Sequence, residues 1–174
     1  IKQIKKFNPS LIIVNATSIL KKNLLKILKT NVVNIHQGLL PYYRGTGTNV
    51  WTFYNQELQY TGVTIHFIND KIDAGRIILQ AQSEFKENDN THSIGCRNTK
   101  LSVKLVKKAV DYLFKNPNYK GERIKTKKSK IFFKKDFNEN TVIKINRLIK
   151  NGLVKNYIRN KKKIKLVDKY KLNA

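Results

Sequence analysis

The strongest constraint on what this chain can fold into lies at residues 31–47, NVVNIHQGLLPYYRGTG, with a partial echo at 61–75, TGVTIHFINDKIDAG. In the first stretch the apolar run Val32, Val33 and Ile35 carries Asn34 and His36 at alternate positions, then breaks into a loop marked by Gly38, Pro41 and Gly45. Side chains two apart on a strand share a face, so Asn34 and His36 are expected side by side at the strand's carboxyl end. Asp73 follows a second alternating run, Val63, Ile65 and Phe67, and Gly62 and Gly75 bracket it. Open α/β sheets take their ligands at the carboxyl ends of strands. Chemistry is expected there.

The rest of the chain supplies the frame for such a sheet. Residues 1–8 read as the end of a helix, and 11–16 as a short apolar strand buried on both faces. Thr17 and Ser18 are placed to cap a helix running to about Lys29, with Leu24, Leu25 and Leu28 near helical spacing. A strand, helix, strand order calls for a parallel pair, because a parallel return needs a crossover. A helix at about 48–55 carries Trp51 and Phe53 as packing residues. Strands at 61–68 and 76–85 flank the Asp73 loop closely enough to form a hairpin at the sheet edge. A long helix over about 91–114 buries Ile94, Leu101, Leu105, Val106, Val110 and Leu113, leaving Lys104, Lys107 and Lys108 as a solvated face. Beyond residue 116 come a lysine-rich loop, a short apolar piece at 131–133, and a helix at about 138–150 whose buried stripe is Val142, Ile145, Leu148 and Ile149. A second short helix reaches about residue 160, before a basic end.

Composition narrows the function classes. The 174 residues suffice for one domain with a sizeable core. No apolar run approaches a membrane span, and no leader pattern opens the sequence, so a cytoplasmic protein is expected. The single Cys96 has no partner for a disulfide or a metal cluster and reads as a buried, inert thiol. The net charge of +25, from 36 basic and 11 acidic residues, would suit a polyanionic partner. Its lysines are spread among asparagines and isoleucines rather than focused, so the charge is not read as a nucleic-acid interface. With no zinc, iron or P-loop signature, no metal is expected. The chain starts at Ile1 and has no methionine, and is read as a piece of a longer protein.

The ordered series Asn34-Ile35-His36, Leu39-Leu40-Pro41, Arg44-Gly45, then 61–67 (TGVTIHF) and 72–75 (IDAG) followed by Ile77-Ile78 resembles the 10-formyltetrahydrofolate-dependent formyltransferases over roughly residues 9–115. That resemblance implies an α/β, Rossmann-like, mostly parallel sheet with flanking helices and its N-terminal part missing. Residues 1–115 would be the C-terminal part of the catalytic domain, and 116–174 a basic, mainly helical extension. It also implies an enzyme that carries a formyl group from 10-formyltetrahydrofolate, as co-substrate, to a primary amine. Asn34, His36 and Asp73 are its implied catalytic group. Asn34 would hold the oxyanion, His36 would stabilise that charge and carry protons, and Asp73 would orient and charge-balance His36 or an ordered water.

The folate is expected against Ser18, Ile19 and Leu20 and against Asn69, Asp70 and Ile72. Tyr42, Arg44 and Gly45 are expected near the acceptor, with Arg44 either on an acceptor phosphate or packed on tyrosine at the surface. His66 and His92 are read as structural. The acceptor is expected to be a small-molecule amine on an amino-sugar nucleotide, with glycinamide ribonucleotide of purine biosynthesis as the alternative. Methionyl-tRNA ranks lower, because the tail from Asn116 is too short and too helical for an added β-barrel domain. Formyl-folate hydrolysis and a basic RNA-binding module are the remaining readings. A homodimer stays open.

Overall fold

The computed structural model describes residues 2–28 and 30–168. Helix α1 (Lys2–Phe7) leads into strand β1 (Leu11–Asn15), which runs parallel to β2 (Asn31–His36) after the crossover helix α2 (Lys22–Ile27). β2 then pairs antiparallel with β4 (Gly62–Phe67), and β4 antiparallel with β5 (Ile77–Gln82), giving the sheet order β1-β2-β4-β5. The α/β class stands. Within this sheet the parallel character rests on β1–β2 alone.

Between β2 and β4 the chain makes strand β3 (Tyr43–Gly45) and helix α3 (Thr48–Tyr54). Helix α4 (Thr91–Lys115) begins at Asn90, whose side chain accepts from the His92 and Ser93 amides. Its apolar stripe of Leu105, Ala109 and Leu113 packs on Val33, Val63, Ile65, Ile78 and Leu79. β6 (Lys130–Phe132) pairs parallel with β3, and helices α5 (Glu139–Lys150) and α6 (Leu153–Arg159) follow. Ile145 and Val154 of this last part pack with Phe53, Leu58 and Ile94. The basic segment beyond α6 returns to the sheet, where the Gln80 amide donates to the Val167 carbonyl at 2.9 Å.

Four local expectations are corrected. α2 starts only at Lys22 with no side-chain cap, because Ala16 turns the chain with φ +51° and residues 17–21 stay in a loop; Thr17 and Ser18 cap nothing, and the expected helix end at Lys29 lies outside the described residues. β1 is not buried on both faces, with Ile13 and Asn15 exposed. Val142 is exposed because the buried phase of α5 runs through Thr141, Ile145, Leu148 and Ile149, one residue away from it. Cys96 is exposed, since it sits on the outer side of α4 beside His92.

Two buried polar side chains hold the loop after β2 in place. Thr64 Oγ1 donates to the Gly38 carbonyl at 2.6 Å and accepts from the Leu40 amide at 3.1 Å. Gln80 Nε2 donates to the Leu40 carbonyl at 2.8 Å and to Thr64 Oγ1 at 3.0 Å. Gly38 is needed for this close approach: a Cβ there would lie 2.6 Å from Thr48 Oγ1 and 2.7 Å from His36 Nε2.

Leu105 lies between α4 and the sheet with almost no exposure. Leu105→Ala is expected to lower the unfolding free energy by about 2–5 kcal/mol, through lost transfer energy and an incompletely collapsed cavity. Denaturant unfolding checks this, with a lower midpoint and an unchanged slope as the expected outcome.

Candidate active site

Asn34 and His36 stand at the carboxyl end of β2, and the loop after β4 brings Asp73 to them. The antiparallel register places His66 directly opposite Asn34. Asp73 Oδ1 accepts from Asn34 Nδ2 at 3.4 Å and lies 3.5 Å from His66 Nε2; its Oδ2 lies 3.5 Å from His36 Nδ1 and accepts from the Gly45 amide at 2.8 Å. Asn34 Nδ2 is also 3.1 Å from His66 Nε2. His66, read from the sequence as structural, is therefore part of the cluster. The signal was the pairing of the two polar-faced strands.

Backbone carbonyls assign the imidazole tautomers. His36 Nε2 lies 2.8 Å from the Tyr43 carbonyl, and His66 Nδ1 lies 2.9 Å from the Phe67 carbonyl. A carbonyl only accepts, so each of these nitrogens carries its proton there. In the neutral rings the His36 Nδ1 lone pair faces Asp73. The His66 Nε2 lone pair receives an amide hydrogen of Asn34.

Burial and charge set the protonation states. Burial disfavours the imidazolium of His36 and holds its pKa below the ordinary 6.5, against the pull of the Asp73 carboxylate; His66 nearby lowers it further. For Asp73, burial alone would raise the carboxyl pKa, but at acid pH the protonated His66 and His36 imidazoles beside it, together with the Gly45 amide, outweigh burial and hold the group at about 2. The pair thus rests as a neutral base beside a fixed anion. A proton arriving on His36 Nδ1 meets its counter-charge already in place.

Three consecutive residues of β3 fix three parts of this cluster. The Tyr43 carbonyl holds the His36 ring, the Arg44 guanidinium donates to the Ile72 carbonyl from Nε at 2.8 Å and also from Nη2, and the Gly45 amide holds Asp73. β3 in turn leans on β6. A Cβ at Gly45, whose φ is +88°, would fall 2.1 Å from the Phe132 carbonyl, so only glycine admits this approach.

The cluster opens on a cleft of about 650 Å³. Of the residues expected against the folate, Ser18, Ile19, Leu20, Asn69 and Ile72 line this cleft and Asp70 does not, its neighbour Lys71 doing so instead. Gly45 lines it too, whereas Tyr42 and Arg44 are not among its lining residues: Tyr42 stacks on Tyr60 with ring centres 4.3 Å apart, and the Arg44 guanidinium is turned onto the Ile72 carbonyl. Phe132 and Phe133 of the lysine-rich segment close one side, a contribution that sequence reading missed. His92 is exposed on α4, apart from the cluster. Among the described residues no three His, Cys, Asp or Glu side chains are grouped to hold a metal ion, and no helix is long and apolar enough to cross a membrane.

Comparison with known proteins gives a consistent result. The model of the formyl transferase family matches residues 1–110. A methionyl-tRNA formyltransferase of Prochlorococcus marinus is 33% identical over 163 residues, covering 86% of this chain and 49% of that protein. A GDP-perosamine N-formyltransferase of Brucella melitensis is 36% identical over 89 residues, covering 51% of this chain and 34% of the relative. Among solved structures, a formyltransferase of Anoxybacillus kamchatkensis, in complex with UDP-4,6-dideoxy-4-formamido-L-AltNAc and tetrahydrofolate, superposes with a TM-score of 0.64 at 27% identity, covering 74% of this chain and 67% of that one. The chain spans half or less of the length of these two curated relatives.

The protonation states carry a pH signature. Because His36 binds its proton less readily folded than unfolded, stability is expected to fall as pH drops below 6.5 and to level off once below the folded value. Asp73 contributes stability that is full above 3.8 and lost as pH falls towards about 2. Urea unfolding across this range is expected to show both losses, and Asp73→Asn to reduce the second.

Proposed function

The chain belongs to the formyl transferase family, and on that footing we propose that its cleft passes a formyl group from a formyl-folate to a primary amine, with Asn34, His36 and Asp73 as the catalytic group and His66 supporting it. The observation that carries this reading is the meeting of four side chains from two strands and a loop at the edge of one cleft. The amine nitrogen attacks the formyl carbon, and the carbonyl electrons move to oxygen. An Asn34 amide hydrogen meets that oxyanion, giving up its long 3.4 Å bond to Asp73 for a charge-assisted one. The proton lost by the amine goes to His36 Nδ1, where Asp73 balances the imidazolium. The carbon–nitrogen bond to the folate then breaks, the electron pair stays on the folate nitrogen, and that nitrogen takes the proton from the His36 imidazolium, which returns to its neutral form. The products are the formamide and tetrahydrofolate.

The cleft suits such a donor. Its wall of Ile19, Leu20, Ile68 and Ile72, with the amides of Asn15 and Asn69, offers apolar faces and hydrogen-bonding edges to a flat heteroaromatic ring. For the acceptor, the amine of an amino-sugar nucleotide is the preferred reading, supported by the likeness to the sugar-nucleotide-bound Anoxybacillus enzyme and the Brucella relative. Methionyl-tRNA is the second reading. The Prochlorococcus match covers too much of this chain to stop at residue 115, so the tail does not discriminate against tRNA as its length suggested.

Tetrahydrofolate release by the protein carrying this chain, against amino-sugar nucleotides, glycinamide ribonucleotide and initiator methionyl-tRNA, tests the proposal. Release with one amine fixes the acceptor, and release without any amine identifies hydrolysis instead. Asn34→Ala is expected to lower kcat about 100- to 1,000-fold, and His36→Ala by about 100- to 10,000-fold. Near-full activity in either variant would remove that residue from the catalytic group.

A further inference from the structure

We propose that Arg44 is a positioning residue, whose guanidinium clamps the Ile72 carbonyl and thereby sets Asp73 against His36 and His66. Asp73 has a left-handed backbone with φ +42°, uncommon for a non-glycine residue although aspartate is among those that adopt it most readily. Within the loop, Asn69 fastens residues 69–74 to themselves, accepting from the Lys71 amide and donating to the Ala74 carbonyl, both at 3.1 Å. Those bonds shape the loop without fixing it to the cluster. The residue preceding Asp73 is the one that Arg44 grips, from Nε at 2.8 Å and from Nη2, so two donors of one guanidinium edge converge on a single carbonyl oxygen.

The clamp has a firm base. Arg44 is opposite Ile131 in the β3–β6 pairing, while its neighbours Tyr43 and Gly45 bond His36 and Asp73 directly. One rigid strand therefore sets both the proton carrier and the carboxylate that balances it. A guanidinium turned onto a backbone carbonyl of the protein acts on the chemistry through Asp73, not through the substrate. Lysine offers a point charge without the planar fork and restores only part of the grip.

The test uses Arg44→Ala and Arg44→Lys in the protein carrying this chain, with two readouts. Amide hydrogen exchange reads the clamp without any substrate: the Gly45 amide, bonded to Asp73, is expected to exchange at least about tenfold faster in Arg44→Ala, while the Thr46 amide, bonded to the Phe132 carbonyl at 2.9 Å, is unchanged. Kinetics rest on the formyl-transfer reading. There kcat is expected to fall about 100-fold in Arg44→Ala and less in Arg44→Lys, with both KM values held, as for a small misplacement of a reacting group.

Unchanged exchange at Gly45 overturns the proposal. So does equal loss at Gly45 and Thr46, which makes Arg44 an anchor for the whole strand, or a raised KM for the acceptor with kcat kept, which makes it a substrate contact. If Arg44→Ala does not fold, the same comparison in Arg44→Lys decides. Absence of formyl transfer in the unaltered protein would refute the proposed function and leave the exchange comparison to judge Arg44.

Discussion

A buried carboxylate has to be answered by donors, and the site is arranged around that demand. Asp73 is about 15% exposed and remains ionised at neutral pH, which taking it out of water alone would oppose. Two hydrogen-bond donors and two imidazoles converge on its two oxygens, from β2, β3 and β4. No single element supplies enough of them. The strand pairings must therefore be complete before the carboxylate can sit where it does, which makes the cluster a product of tertiary structure rather than of one motif.

The same demand explains the place of β3. It is three residues long and too short to be stable by itself, yet Phe132 stacks on both Tyr43 and Trp51, with ring centres 5.5 and 4.8 Å apart. The Tyr43 hydroxyl donates to Glu57, and Lys130 donates to the same carboxylate at 2.7 Å. Packing aromatic faces around a short parallel ribbon gives it the rigidity that backbone bonds alone do not provide. The lysine-rich segment is thus built into the wall of the cleft.

Much of this was legible in the residues. The alternation at 31–36 and 62–67 marked both central strands because polar residues at every second position have no helical explanation. The helices at 91–115 and 139–150 carry apolar stripes and asparagine caps. What escaped reading depended on contacts distant in sequence. β3 has no alternation to announce it in three residues, and its partner lies some 87 positions on, from Tyr43 to Lys130. His66 acquires its place in the cluster only through the register that sets it opposite Asn34. Tyr42 and Arg44 sit in a loop rich in turn residues, where direction is decided by the neighbouring strand and not by residue type.

The sheet's outer edge at β5 has a further consequence. Backbone groups there are taken up at one end by an antiparallel bridge between Ile77 and Glu122, and further along by Val167, whose amide also donates to Gln80 Oε1 at 3.2 Å. A strand with open donors and acceptors invites a foreign strand to extend the sheet, a common route to aggregation. Here the chain's own later segments occupy that place, and along the β5 edge they guard the sheet against a neighbour's strand.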